Sequence, residues 1–197
     1  MMRNTKVKIA SAANQLFSQR GFAEPGVEAI RKAADVSIRT LYKHFPSRED
    51  MVVGALAFRH FEYLAHLRDG MPSEPGERAI IHFFDRVGDW MAHTAVRGCL
   101  FVQAVASHPD SVAIQREVQR NKQEVRLEIA SRLPADRQSL LTSLFLLHEG
   151  TTAAATSLGS KDACTHAVQV VRHLFATASD QSTDTGNSQS KSAVGKS

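Results

Sequence analysis

Ser37, Arg39, Thr40, Tyr42, Lys43 and His44 crowd into one short run, Val36 to Phe45. Arginine can donate two hydrogen bonds to the O6/N7 edge of guanine, which makes Arg39 a candidate base reader. Thr40, Tyr42 and Lys43 can bond phosphate oxygens, and Ser37 and His44 can reach phosphate or a base edge. Arg48, four residues further on, is another phosphate candidate. Leu41 and Phe45 are spaced four apart and face inward over Val36, which leaves the polar set outside. Other roles remain open for two of these residues. Tyr42 can pack beneath its helix, and His44 can cap the C-terminal end.

Two short helices must hold this set. Val27, Ile30 and Ala34 line one apolar face, which predicts a helix over 27–34. Asp35-Val36-Ser37 interrupts the pattern, since Asp and Ser bond locally to the backbone and favour turns and caps. Ser37 then caps a second helix over 38–45. Two helices joined by a three- to four-residue turn form the DNA-binding helix-turn-helix. A helix over 5–20 precedes them, burying Ile9, Ala12, Ala13, Leu16 and Phe17. Gly21 is its C-terminal cap. Ser47-x-x-Asp50 is a capping box that opens the next helix, running to about residue 68.

Here the chain resembles the tetracycline-repressor (TetR) family of one-component transcriptional regulators. The resemblance is carried by Leu16-Phe17, Arg20-Gly21-Phe22, Val27-Glu28-Ala29-Ile30 and Ala33-Ala34-Asp35-Val36-Ser37. It continues through Arg39-Thr40-Leu41-Tyr42-Lys43-His44-Phe45 and Ser47-Arg48-Glu49-Asp50. Two positions depart from the family pattern. Gly26 stands where Thr or Ser usually caps the first helix of the motif, and Asp35 stands where the turn usually has Gly. Glycine is an acceptable cap, and Asp tolerates a left-handed turn better than most residues. The resemblance implies an all-α fold of about nine helices. Residues 1–50 would form the DNA-binding head, 51–178 an effector-binding and dimerisation body, and 179–197 a tail. The start of the first helix approaches the DNA backbone in this family, which makes Lys6 a phosphate candidate; a merely solvated face is the alternative.

Charge distribution agrees with that division. Residues 1–50 hold nine Lys/Arg against five Asp/Glu, whereas 51–197 hold fifteen of each. A basic module on a neutral body is the electrostatic footprint of a nucleic-acid binder. Cys99 and Cys164 form no metal-spaced pair and fit a reducing cytoplasm. No apolar run is long enough to span a membrane, and no secretory signal core is evident. The scattered histidines suggest no metal site. No triad, phosphate-binding glycine loop or paired carboxylates stand out, so neither catalysis nor a cofactor is expected.

The remainder reads as amphipathic helices over 77–94, 99–107, 111–133, 136–158 and 161–178. By resemblance, the helix beginning at Ser47-x-x-Asp50 links head to body, and the helices around it enclose an effector cavity. Phe61, Trp90, His93, Phe101, Gln103, Val118, Phe145 and His148 are its candidate lining residues, each of which can equally be plain core. With no charge signature, a small and largely apolar effector is expected. The last two helices, 136–158 and 161–178, suit a four-helix dimer interface or the closure of one subunit's core; the resemblance favours a homodimer. A single recognition helix reads few base pairs, so a dimer would read a palindromic operator in double-stranded DNA. Repression released by a small molecule is the leading reading. Thiol-redox or electrophile sensing at Cys99, control without an effector, and activation are the alternatives. Residues 179–197 lack the apolar area that offsets ordering entropy and are expected to be disordered.

Overall fold

A computed structural model describes residues 2–187, with side chains from residue 5 to residue 177. All regular structure among the described residues is helical. The order is α1 (Met2–Arg20), α2 (Val27–Ala33), α3 (Ile38–His44), α4 (Arg48–Arg68), α5 (Glu77–His93), α6 (Leu100–Ser107), α7 (Val112–Ser131), α8 (Leu141–Leu158) and α9 (Ser160–Asn187). No described helix is long and apolar enough to cross a membrane.

Local chemistry sets most boundaries. The Ser47/Asp50 capping box is complete: Ser47 N–H donates to Asp50 Oδ2 at 2.9 Å, and Asp50 N–H donates to Ser47 Oγ at 3.0 Å. Ser111 caps α7 by accepting from Ile114 N–H at 3.2 Å. Gly76 precedes α5 at φ 148°, a conformation that side chains oppose, and its N–H reaches Arg132 O at 2.8 Å.

Most expected bounds are met to within three residues, and two differ by more. The helix expected from residue 136 begins as a 3₁₀ segment, Ala135–Leu140, and becomes α-helical only at Leu141. None of the 3₁₀ residues is buried and no side chain caps the segment, so little packing selects the wider helical turn there. At the other end, α9 continues to Asn187, nine residues into the segment expected to be disordered. Extending an existing helix adds one hydrogen bond per residue and needs no new nucleus, which an amphipathicity argument omits. Residues 188–197 of that expected tail lie outside the described residues.

The apolar core forms two clusters, and α4 contributes to both. Met51, Val52, Ala55 and Leu56 pack with Phe17, Ile30, Leu41 and Phe45 of the head. The same cluster takes in Leu100, Phe101 and Ala104 of α6 and Ile114 of α7. Two turns later Tyr63, Leu64 and Leu67 join Phe83, Phe84, Val87, Ile129, Leu144 and Val171 in the second cluster. Gly88 lets α5 and α9 close together: a Cβ there would lie 2.9 Å from Cys164 Sγ.

Between and beside the clusters lie buried polar groups that are linked in chains. His60 faces Glu124 at 2.9 Å through Nε2, and its Nδ1 accepts from Asn121 at 2.9 Å. Tyr63 O–H donates to His148 Nε2 at 2.9 Å, and His148 Nδ1–H donates to Glu149 at 3.0 Å. Lys122 closes that chain at 2.6 Å from Glu149. Burial holds the His148 ring below its ordinary pKa against the opposing pull of Glu149, which keeps the ring neutral and fixes this tautomer. Burial alone would raise the Glu149 carboxyl, but hydrogen bonds from His148 and Lys122 and the Lys122 charge outweigh it and hold it at about 2. Further along, Arg132 is 1% exposed. It bonds Glu128 at 2.8 Å and Leu67 O at 2.9 Å, beneath the Phe83 ring. Arg68 joins the same carboxylate at 2.8 Å.

Two tests follow from these pairs. Glu128→Gln strands Arg132 without a counter-charge, and a loss of about 3 kcal/mol in urea unfolding is expected; an unchanged midpoint would contradict the assignment. For Glu149, the folded-state carboxyl is more acidic than the unfolded one. Its contribution is therefore complete above pH about 4.5 and disappears as pH falls towards about 2. The stability gap between wild type and Glu149→Gln should close across that window, and a gap constant with pH would refute the pairing.

Candidate nucleic-acid interface

The turn between α2 and α3 is built to present α3. Val36 N–H bonds Arg31 O at 3.3 Å and Asp35 N–H bonds Lys32 O at 3.0 Å, the paired bonds of a Schellman motif. Asp35 takes the left-handed position at φ 47°, where the family pattern has Gly. Lys8 lies 3.5 Å from its carboxylate. Arg31, not singled out in the sequence, ties the turn from the other side: it pairs with Glu28 at 2.7 Å and bonds Val36 O at 3.1 Å. Gly26 caps α2 without a side-chain bond, as its lack of a side chain requires.

Ser37 caps α3, accepting from Thr40 N–H at 3.1 Å, with its hydroxyl 2.8 Å from the Thr40 hydroxyl. Leu41 is fully buried, and Phe45, at the C-terminal cap, nearly so. Phe45 seats α3 on α4 through Gly54, where an added Cβ would come within 2.2 Å of the Phe45 ring. This contact orients the opposite face of α3 outward. Arg39, Tyr42 and Lys43 are exposed there, Tyr42 at 45%, so Tyr42 does not pack beneath the helix. No hydrogen bond or ion pair holds Arg39, Tyr42 or Lys43 among the described residues. His44 is half-buried beside Phe45, and Lys6 lies with its ammonium 5.6 Å from the Phe45 ring centre, on the same end of the head.

Arg48 departs from expectation. Its guanidinium donates to the carbonyls of Pro25 and Phe22 and lies over the Phe17 ring. It clamps the loop before α2 to the start of α4 and has no free fork to offer a phosphate.

The expected effector-lining residues do not converge. Trp90, Phe101 and His148 line one small internal cavity of about 30 Å³, with Arg59, Tyr63, Cys99, Asn121, Lys122 and Thr152. Phe61 is 69% exposed, because its place on α4 points away from the Tyr63/Leu64/Leu67 stripe. It borders instead an outer groove with Val7 and Phe58. His93 is exposed and paired with Asp89 at 3.1 Å. Gln103 bonds Arg97 O at 2.7 Å, Val118 packs on the first cluster, and Phe145 packs on the second. Polar residues stand around the internal cavity, but the surface they turn to it is almost wholly apolar. Arg59, Asn121 and Lys122 carry no signal in sequence that separates them from surface residues.

A helix-turn-helix that carries an exposed Arg/Tyr/Lys face without partners among the described residues has the form of a DNA-binding module. The comparisons with known proteins agree. Residues 9–55 match the family model for bacterial regulatory proteins of the tetR family. The chain is 36% identical over 81 residues to the transcriptional regulator UidR of Escherichia coli K12, covering 41% of this chain and 38% of that protein. It is 26% identical over 106 residues to the transcriptional repressor NemR of the same strain, covering 52% and 53% of the two chains. The aligned segments thus span about half or less of these relatives. Among solved structures, a TetR-family regulator from Streptomyces coelicolor superposes with TM-score 0.74 at 21% identity, over 89% of this chain and 96% of that one. Escherichia coli NemR in its reduced form superposes with TM-score 0.73 at 22% identity, over 87% and 97%. Residues 9–55 thus match the tetR family of bacterial regulatory proteins, and the fold throughout is like that of the TetR-family structures.

The two arginines can be separated by stability alone. Arg39→Ala should leave the urea midpoint within about 0.5 kcal/mol of wild type, as for a surface residue without partners. Arg48→Ala, which orphans two carbonyls, should cost about 2 kcal/mol. The reverse order would overturn the assignment of exposed reader and internal clamp.

Proposed function

We propose that the chain is a homodimeric repressor that binds a palindromic operator and is released by a small molecule. The observation that carries this reading is the α3 face: Arg39, Tyr42 and Lys43 have no partner among the described residues, on a helix whose inner face is locked by Leu41, Phe45 and Gly54. In this reading residues 1–50 are the DNA-binding domain. Arg39 reads a base, and Thr40, Tyr42, Lys43, Ser37, His44 and Lys6 contact phosphates or base edges.

Dimerisation through α8 and α9 is supported by the outer face of α8. Leu146, Gly150, Ala153 and Ser157, at helical spacing, are all exposed there. Val170 is exposed on α9. Such a smooth strip admits a second helix closely, and two helices from each subunit make a four-helix bundle. An effector that favours a body conformation with mis-spaced recognition helices would release DNA, and bound operator would weaken effector affinity by the same factor.

The small cavity also supports a second reading, response through a thiol. Cys99 is half-buried on its wall, whereas burial pushes the Cys164 thiol up to about 11 and makes it a poor nucleophile. Cys99→Ser that retains full induction in cells would remove this reading.

Footprinting on the DNA upstream of the chain's own gene tests the main proposal. Protection of a palindrome, weakening steeply with salt and lost in Arg39→Ala, is expected. Gly150→Arg has open space within the subunit, so the chain should fold but sediment as a monomer and lose the footprint. Salt-insensitive or unbounded protection, or an unchanged footprint in both variants, would contradict it.

A further inference from the structure

Arg59 lies on α4 where the two apolar clusters meet, and it is 4% exposed. Other buried charged groups here have opposite charges beside them, as Arg132 has Glu128. Arg59 has none: no carboxylate lies within 4.0 Å of it among the described residues. Its guanidinium donates one bond, to Thr94 O at 3.3 Å, and rests over the Trp90 ring at 5.2 Å. Burial lowers its pKa, the mark of a cation that has lost water without gaining an anion.

Arg59 and Trp90 form the wall between the small internal cavity and an open groove of about 620 Å³ bounded by α1, α4 and α5. The groove's α1 side carries a second, independent signal. Asn14 Oδ1 and Ser18 Oγ are buried and have no hydrogen-bond partner among the described residues. Asn14 as a whole is more than nine-tenths buried. Unsatisfied buried polar atoms are uncommon and call for an explanation. Arg97 adds a second cation to the groove, and Glu62 at its rim is the opposing charge.

We propose that this groove binds a small aromatic carboxylate. The carboxylate pairs with Arg59, whose fork matches two oxygens. The ring lies against Trp90 and Phe58, and a hydroxyl or N–H on the ligand donates to Asn14 Oδ1 or Ser18 Oγ. The volume is in the range of small-molecule sites. Asn14 and Ser18 belong to the head, and Trp90 and Thr94 to the body. A ligand touching both fixes one placement of α1 against α5 and disfavours others. The regulatory consequence rests on the ligand-responsive repressor reading; the binding site itself does not.

Trp90 is the chain's single tryptophan, so its fluorescence reports occupancy directly. The wild-type protein is titrated with 4-hydroxybenzoate and, separately, with 4-hydroxybenzamide, which keeps shape and hydroxyl but lacks the charge. A saturable change with the acid, at least about tenfold tighter than with the amide, is expected. Arg59→Gln should remove the preference for the acid, and Asn14→Leu should weaken both ligands. Arg59→Lys, which keeps the charge, should retain part of the preference. Equal affinity for acid and amide, or no saturable change with the acid at millimolar concentration, overturns the proposal, and neither result depends on a variant folding. The operator footprint without either compound is independent, so failure here is distinguishable from failure of the DNA-binding reading.

Discussion

The structure depends on one continuous helix serving two cores. Helix α4 begins in the capping box at Ser47, buries its first two turns among residues of the head, and buries its last turns in the body. A helix cannot bend freely in its middle without losing hydrogen bonds, so a displacement at one end is transmitted to the other. Head and body are also fastened sideways. Phe22 packs edge-on against His108 at 5.5 Å, Arg97 donates to Gln19 O, and Ser111 donates to Glu49. The orientation of α3 is thus set by contacts that reach well beyond the helix-turn-helix.

What lies at the middle of α4 is not apolar. Arg59, His60 and Tyr63 meet Asn121, Lys122 and Glu124 of α7 and His148 and Glu149 of α8 near the seam of the two clusters. Apolar packing is tolerant of small slides, whereas a hydrogen-bonded layer has one register in which all partners are met. The layer therefore defines the relative position of head and body more sharply than the cores around it.

Much of this was legible in the sequence, and the failures have physical causes. The recognition helix, its Ser37 cap, the Ser47/Asp50 box and the left-handed Asp35 are local features, fixed by residues within four positions of one another. The nine helices and their inner faces follow from periodicity. The assignment of Arg48 to phosphate failed because its partners, the carbonyls of Phe22 and Pro25, lie more than twenty residues away. Phe61 failed similarly: an aromatic residue on an amphipathic helix reads as buried, and only the packing of α1 against α4 leaves it outside. Arg59 had no signal at all. A buried arginine and a solvated one look alike until tertiary structure supplies or withholds the counter-charge.

Because head and body share α4, α6 and the start of α7, they are expected to unfold as one unit. Native-state hydrogen exchange at increasing urea tests it most directly, comparing the amide of Leu41 in the recognition helix with that of Val87 in the body. Both amides should exchange through the same global opening, with equal free energy and equal urea dependence. Exchange of Leu41 through a separate, lower-energy opening while Val87 stays protected would show that the head is an independent unit and would contradict the account.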